Sequence, residues 1–198
     1  MEISVELIKE LREKTGAGIS DCKKALTDSG GNLEEAVMLI REKGLATAAK
    51  KASRVASEGL VEAYIHLNGR IGTLVEVNCE TDFVAKTDEF RALAHDIALH
   101  VTGANPQYFR REDVPADIVE KEKEILGIQA KNEGHSPEKL EKIAEERLKK
   151  FFSEICLLEQ PFIRDPSKTV ADLIAEAVAR IGENVVIKRF TRYQLGEK

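Results

Sequence analysis

No stretch of this chain is apolar for long enough to cross a bilayer, since nothing approaches the run of about 20 residues that a spanning helix needs. Its cysteines are sparse. Cys22, Cys79 and Cys156 are odd in number, far apart and without a CxxC pair, which argues against a disulfide framework or a zinc site and fits a reducing compartment. The first residues, Met1-Glu2-Ile3-Ser4-Val5-Glu6, lack the basic and apolar regions of a secretory leader and are too acidic for a transit peptide, so the expected location is the cytoplasm. A surplus of positive charge is also missing. The net charge of -5 argues against a dedicated nucleic-acid binder, because neutralising phosphates takes an excess of Lys and Arg on one face, and no direct nucleic-acid contact is expected. Neither GxxxxGK[ST], nor GxGxxG after a strand, nor GxSxG occurs. His66, His95, His100 and His135 lack HExxH spacing, and the five-residue step from His95 to His100 puts those two on different sides of a helix. No catalytic residue, metal ligand or cofactor is therefore expected, and the chain reads as a non-enzyme. A nucleophilic Cys79 is retained as a minor alternative.

What is present is a length and a pattern. With 198 residues, 42% of them hydrophobic and 33% charged, the chain is an ordinary soluble globular sequence, long enough for a small helical module and a larger domain. Val5, Leu7, Ile8 and Leu11 form an apolar stripe after Ser4, a capping residue, and Gly16-Ala17-Gly18 interrupts it. A second helix is predicted from Ser20 to Gly30-Gly31. A third begins at the cap Asn32, with Glu35 in the capping-box position and Leu33, Ala36, Val37 and Ile40 on one face, and is expected to stop at Gly44. Residues 46–58, with Lys50, Lys51 and Arg54 among alanines, read as a connecting helix.

From Leu60 the pattern becomes extended. Leu60–Leu67 and Ile71–Asn78 flank Asn68-Gly69, a strong hairpin signal because a type I′ turn needs positive φ at both central residues. After the cap Thr87, the residues Phe90, Leu93, Ala94, Ile97, Ala98 and Val101 make an apolar helix face ended by Gly103, and this helix should lie on the hairpin. Two antiparallel helices follow, one stopping near Gly134 and one starting at Ser136-Pro137. Leu157–Ile163 reads as a short edge strand, a helix runs to Gly182, and Val185–Tyr193 is a final strand. The expected fold class is α+β: an N-terminal three-helix bundle (1–45), a helical linker (46–58), and a core domain (59–198) in which an antiparallel β-sheet is covered by helices with a helical hairpin. At the junction of strand and helix lies Asn78-Cys79-Glu80-Thr81-Asp82-Phe83-Val84-Ala85-Lys86. Such short joining segments present binding residues, while the plainer reading makes Asp82 or Thr81 an N-cap and Phe83 with Val84 a core plug.

Several segments together carry a resemblance. Leu11-Arg12-Glu13-Lys14-Thr15-Gly16-Ala17-Gly18 with Asp21-Cys22-Lys23-Lys24-Ala25-Leu26, then Ala48-Ala49-Lys50-Lys51-Ala52, the Glu76–Lys86 segment, Gln160-Pro161-Phe162 and Ile181-Gly182-Glu183-Asn184 are similar to the translation elongation factor Ts family from end to end. The resemblance implies a guanine-nucleotide exchange factor for the GTPase elongation factor Tu, with a bundle that resembles ubiquitin-associated modules and docks on the GTPase. It implies that Asp82 and Phe83, flanked by Thr81 and Val84, reach the region of the partner's magnesium ion, and that Ile19, Lys23, Lys51 and His66 contribute to docking. Ile19 and Ser20 stand where some relatives carry methionines. Longer members carry a second core subdomain, whereas this chain resembles the short class and is expected to homodimerise, the final strand offering an edge. The competing reading is an RNA- or ubiquitin-binding module on an α+β scaffold.

Overall fold

The computed structural model describes residues 3–133 and 137–197 and divides them into two compact units, 3–63 with 74–98 and 171–191, and 64–73 with 99–170 and 192–197. In the first unit α1 (Val5–Thr15), α2 (Ile19–Asp28) and α3 (Leu33–Lys51) pack around Leu11, Cys22, Ala25, Leu26 and Ala36. Local signals set their ends. Ser4 Oγ accepts the Leu7 N–H at 3.2 Å, Gly16 closes α1 with φ 67°, and Asn32 Oδ1 accepts the N–H groups of Glu34 and Glu35 at 3.0 and 3.2 Å. The reciprocal half of a capping box is not used, because the Asn32 N–H donates to the Ser29 carbonyl at 3.1 Å.

Gly44 does not stop α3. The helix continues to Lys51, so the residues just after Gly44 form its last turns rather than a separate element, and residues 52–57 are non-helical. An interior glycine costs only about 1 kcal/mol relative to alanine. The alanine-rich segment beyond it favours helix, and Gly44 is buried over Ala175 and Ala179 of α8 (Val170–Ile181). Asp172, itself buried, receives both arms of the Arg41 guanidinium and ties α3 to α8.

The sheet is three-stranded and antiparallel, in the order β1 (Glu58–His66), β2 (Ile71–Cys79), β5 (Val186–Gln194), and with the helices it makes an α+β fold. The hairpin is as expected, but its turn is longer than two residues. Leu67, Asn68 and Gly69 all have positive φ, and the Arg70 N–H reaches the His66 carbonyl at 3.1 Å. Thr73, Val75, Val77 and Cys79 point to the buried face of β2. At the other strand Gly59 has φ 145°, and a Cβ there would lie 2.1 Å from the Val77 carbonyl oxygen, so only glycine fits. Helix α5 (Asp88–Ala104) buries Phe90, Leu93, Ala94, Ile97, Ala98 and Val101. It lies on the hairpin: His95 Nδ1 pairs with Glu62 Oε1 of β1 at 2.9 Å, and Thr102 Oγ1 donates to Thr73 Oγ1 of β2 at 2.9 Å. Its stop is Asn105 in the left-handed region (φ 49°), not Gly103, which sits within the helix where a Cβ would meet Ile163 Cδ1 at 2.6 Å.

In the second unit α6 (Ala116–Asn132) packs on α7 (Pro137–Ile155), and Val114, Phe152 and Cys156 form a small core. The expected stop at Gly134 and cap at Ser136 lie outside the described residues. The expected edge strand is shorter than read: Leu157–Glu159 is a 3-10 turn, and β3 (Pro161–Phe162) pairs antiparallel with β4 (Asp165–Thr169). A neutral network anchors this hairpin. Because His100 Nδ1 accepts the Ile163 N–H at 3.2 Å, Nε2 carries the ring proton and donates to Gln160 Oε1 at 2.9 Å. The Gln160 amide in turn donates to the Glu154 and Ala104 carbonyls at 2.7 and 3.3 Å. His100 is wholly buried, and desolvation holds its pKa below the usual 6.5 against the opposing pull of Gln160. Among the described residues no helix is long and apolar enough to cross a membrane.

Candidate functional site

The segment between β2 and α5 is built from two successive threonine caps. Thr81 sits in the extended region (φ -128°, ψ 152°) and its Oγ1 accepts the Val84 N–H at 3.4 Å, opening the single turn α4 (Asp82–Ala85). Thr87 ends that turn by donating Oγ1 to the Val84 carbonyl at 2.8 Å and opens α5 by accepting the Phe90 N–H at 3.2 Å. Between the caps the chain has little freedom left. Thr81 is thus the N-cap, not Asp82. Phe83 is not a core plug either: it is 80% exposed, whereas Phe90 on the next helix is 0% exposed. Val84 is half-buried beneath the turn. Asp82 is exposed, and the Lys86 ammonium, donating to it at 2.6 Å, holds its carboxyl below the usual carboxylate range.

A second loop, distant in sequence, grips this one. Oε2 of Glu183 accepts the N–H groups of Glu80 and Thr81, each at 3.0 Å, and Oε1 accepts the Thr81 hydroxyl at 2.6 Å. The exchange is mutual, since Glu80 Oε1 accepts the Asn184 N–H at 2.6 Å. The Asn184 amide donates to the Arg54 carbonyl at 2.8 Å, Arg54 approaches Glu80 at 3.5 Å, and the Asn78 amide donates to the Ala56 carbonyl at 3.2 Å. Lys51 Nζ donates to the Gly182 carbonyl. Three segments, 51–56, 78–81 and 182–184, are therefore locked by side chains bonding to backbone.

Of the residues singled out in the sequence, the structure brings Thr81, Asp82, Phe83 and Val84 together with Lys51, which holds the Gly182 turn rather than reaching outward. Ile19, 59% exposed, and Lys23, also exposed, lie one helical turn apart on α2 of the same unit. His66 belongs to the other unit, exposed at the end of β1, where its ring stacks on Tyr64 at 5.8 Å and its Nδ1 meets the Tyr64 hydroxyl at 3.2 Å. Glu183, Asn184 and Arg54 escaped the sequence reading as site residues. The only signal for the first two was the quoted Ile181-Gly182-Glu183-Asn184 segment, which says nothing about what they touch.

Cys79 lacks what a nucleophile requires. It is wholly buried, its Sγ donates to the Thr81 carbonyl at 3.2 Å, and burial, reinforced by Glu183, pushes its thiol up to about 11. Burial, reinforced by Glu159, likewise raises Cys156 to about 11. Among the described residues no group of three or more His, Cys, Asp or Glu side chains could hold a metal ion. The chemistry this arrangement supports is contact: a rigidly held, solvent-facing aromatic ring beside a carboxylate.

A family model described as Elongation factor TS matches residues 3–197. The chain is 60% identical over 195 residues to elongation factor Ts of Carboxydothermus hydrogenoformans, covering 98% of this chain and 90% of that protein. To elongation factor Ts of Heliobacterium modesticaldum it is 61% identical over 195 residues, 98% of this chain and 91% of that protein. For elongation factor Ts of Caldanaerobacter subterraneus subsp. tengcongensis the identity is 59% over 195 residues, with 98% of each chain covered. A match across nearly the whole described length, at this identity, means that the chain belongs to the elongation factor Ts family of translation elongation factors.

Proposed function

We propose that this protein is a guanine-nucleotide exchange factor that binds elongation factor Tu in its GDP state and promotes GDP release by inserting Phe83 beside the partner's magnesium and phosphate site. The observation that carries this reading is the 80% exposure of Phe83 on a turn fixed by two threonine caps and a carboxylate clamp. A free protein leaves a large aromatic ring in water on a rigid mount only at some cost, and a partner pocket recovers it. Burying such a ring contributes about 1.5–3 kcal/mol, and little conformational entropy remains to be lost. Phe suits the task because it needs no hydrogen-bond partner once buried. Magnesium demands near-ideal octahedral geometry, so a small displacement of the loops that hold it forfeits much of its grip on phosphate. Reciprocity completes the cycle: GDP weakens exchange-factor binding by the factor by which the exchange factor weakens GDP, and GTP later displaces the exchange factor.

In this reading Thr81 and Val84 seat the ring, Asp82 supplies charge beside it, and Ile19, Lys23 and His66 serve docking. Lys51 acts indirectly through the Gly182 turn. The protein carries no catalysis or cofactor of its own, works in the cytoplasm, and pairs with a second copy, for which the edge position of β5 provides support. The test is release of a fluorescent GDP analogue from elongation factor Tu. Wild-type protein should accelerate release, and Phe83→Ala should bind the partner yet cut the maximal rate about 10–100-fold. Equal rates for Phe83→Ala and wild type would overturn the reading.

A further inference from the structure

We infer that Glu183 is a positioning residue for exchange, aiming Phe83 through the backbone of Glu80 and Thr81; this rests on the reading of Phe83 given above. Three donors converge on its one carboxylate, all from the two residues that precede α4: the N–H groups of Glu80 and Thr81 at 3.0 Å and the Thr81 hydroxyl at 2.6 Å. Hydrogen bonds to an ionised acceptor are roughly twice as strong as neutral ones, and two oxygens holding three donors fix orientation as well as distance. The same Thr81 oxygen that donates to Glu183 caps the turn bearing Phe83, so the carboxylate determines where the ring points without touching it. Glu183 is itself braced. Glu80 Oε1 takes the Asn184 N–H, the Asn184 amide holds the Arg54 carbonyl, and Lys51 Nζ holds the Gly182 carbonyl.

Without Glu183 the Glu80 and Thr81 amides turn to water and the ring samples many directions. Docking through α2 is untouched by that loss, so the defect falls on the rate within the complex. Titration of elongation factor Tu loaded with the fluorescent GDP analogue should show Glu183→Ala lowering the maximal release rate about tenfold while the half-saturating concentration stays within about twofold. Glu183→Gln should recover most of the rate, since its carbonyl oxygen keeps two acceptor bonds and its amide can donate to the Thr81 oxygen.

Because Glu183 acts through Phe83, the variant Phe83→Ala/Glu183→Ala should be no slower than Phe83→Ala alone; a purely structural lesion would slow it further. Amide hydrogen exchange in the free protein should quicken at residues 80–85 in Glu183→Ala and not in α8. If Glu183→Ala fails to fold, Glu183→Asp, which draws the carboxylate back from the Glu80 and Thr81 donors while the Thr81 hydroxyl stays in place to cap the turn, carries the same rate and double-variant measurements. Wild-type rates in Glu183→Ala, or in its substitute, alongside a slow Phe83→Ala overturn the role of Glu183 and leave that of Phe83 standing. A further loss in the double variant does the same. A Phe83→Ala at wild-type rate overturns both.

Discussion

Glu183 and Gln160 each join segments far apart in the chain, and they do so in opposite surroundings. The clamp at Glu183 is charged and only partly buried, and what it stabilises is an exposed ring. The network of His100 and Gln160 is neutral and buried, and what it stabilises is a two-stranded hairpin. A carboxylate belongs where water can still reach it, because burying an unpaired charge is far costlier than burying a satisfied amide or imidazole. The difference assigns the two networks different work. Losing the buried one should destabilise the protein, and losing the clamp should leave it stable but badly aimed.

The largest expected effect tests that division. His100→Leu leaves the buried Gln160 Oε1 and the partly buried Ile163 N–H without their ring partner and should lower stability in urea by about 2–4 kcal/mol, with no loss of maximal exchange rate for the fraction that stays folded. Phe83→Ala should show the reverse pattern, a slow exchange rate with stability within about 0.5 kcal/mol of wild type, since the ring is 80% exposed. Stability lost in Phe83→Ala to the degree expected for His100→Leu would erase the contrast.

A pH series sharpens the neutral side. The folded state holds His100 below its usual 6.5, so the unfolded chain takes up the proton first. The stability due to neutral His100 is complete above 6.5 and is lost as pH falls from there towards the folded pKa, at no more than about 1.4 kcal/mol per pH unit. Urea midpoints between pH 7.5 and 5.5 should therefore slope less in His100→Asn than in wild type. Smallest is the effect at Asp82. Its pair with Lys86 is exposed, so Asp82→Asn should leave the unfolding midpoint in place and slow exchange about threefold or less, the difference shrinking as salt is added.

Much of the fold could be read locally. Ser4, Asn32 and Thr87 cap where a small polar residue precedes an apolar period, and the Asn-Gly hairpin formed where its turn chemistry pointed. Gly44 and Gly103 misled because a propensity rule reads a glycine as a stop, whereas both lie inside helices, Gly44 buried against α8 at ordinary van der Waals distance and Gly103 exposed beside the tip of the Ile163 side chain. The strand β4, Asp165-Pro166-Ser167-Lys168-Thr169, was missed because it has no apolar alternation to reveal it. At the site, the junction and its family resemblance were legible, and the exposure of Phe83 was not, because a Phe after a strand fits a core as well as a surface. Glu183 was beyond reach for a different reason: its partners lie 102 and 103 positions away, and no local pattern encodes that distance.

Gly59 carries a consequence for how this sequence can drift. Its backbone lies where a methyl group would occupy the space of the Val77 carbonyl, and the next residues of that strand are Asn78 and Cys79, which lead into the clamp. Alanine is the mildest substitution at almost any position of a protein. Here it would wedge β1 away from β2 just where β2 hands over to Glu80, whereas Val61, also on β1, is largely exposed and meets no such wall. Substitutions in this chain that leave every contact residue intact can still silence it, and position 59, which contributes no side chain at all, is where the first of them should be found.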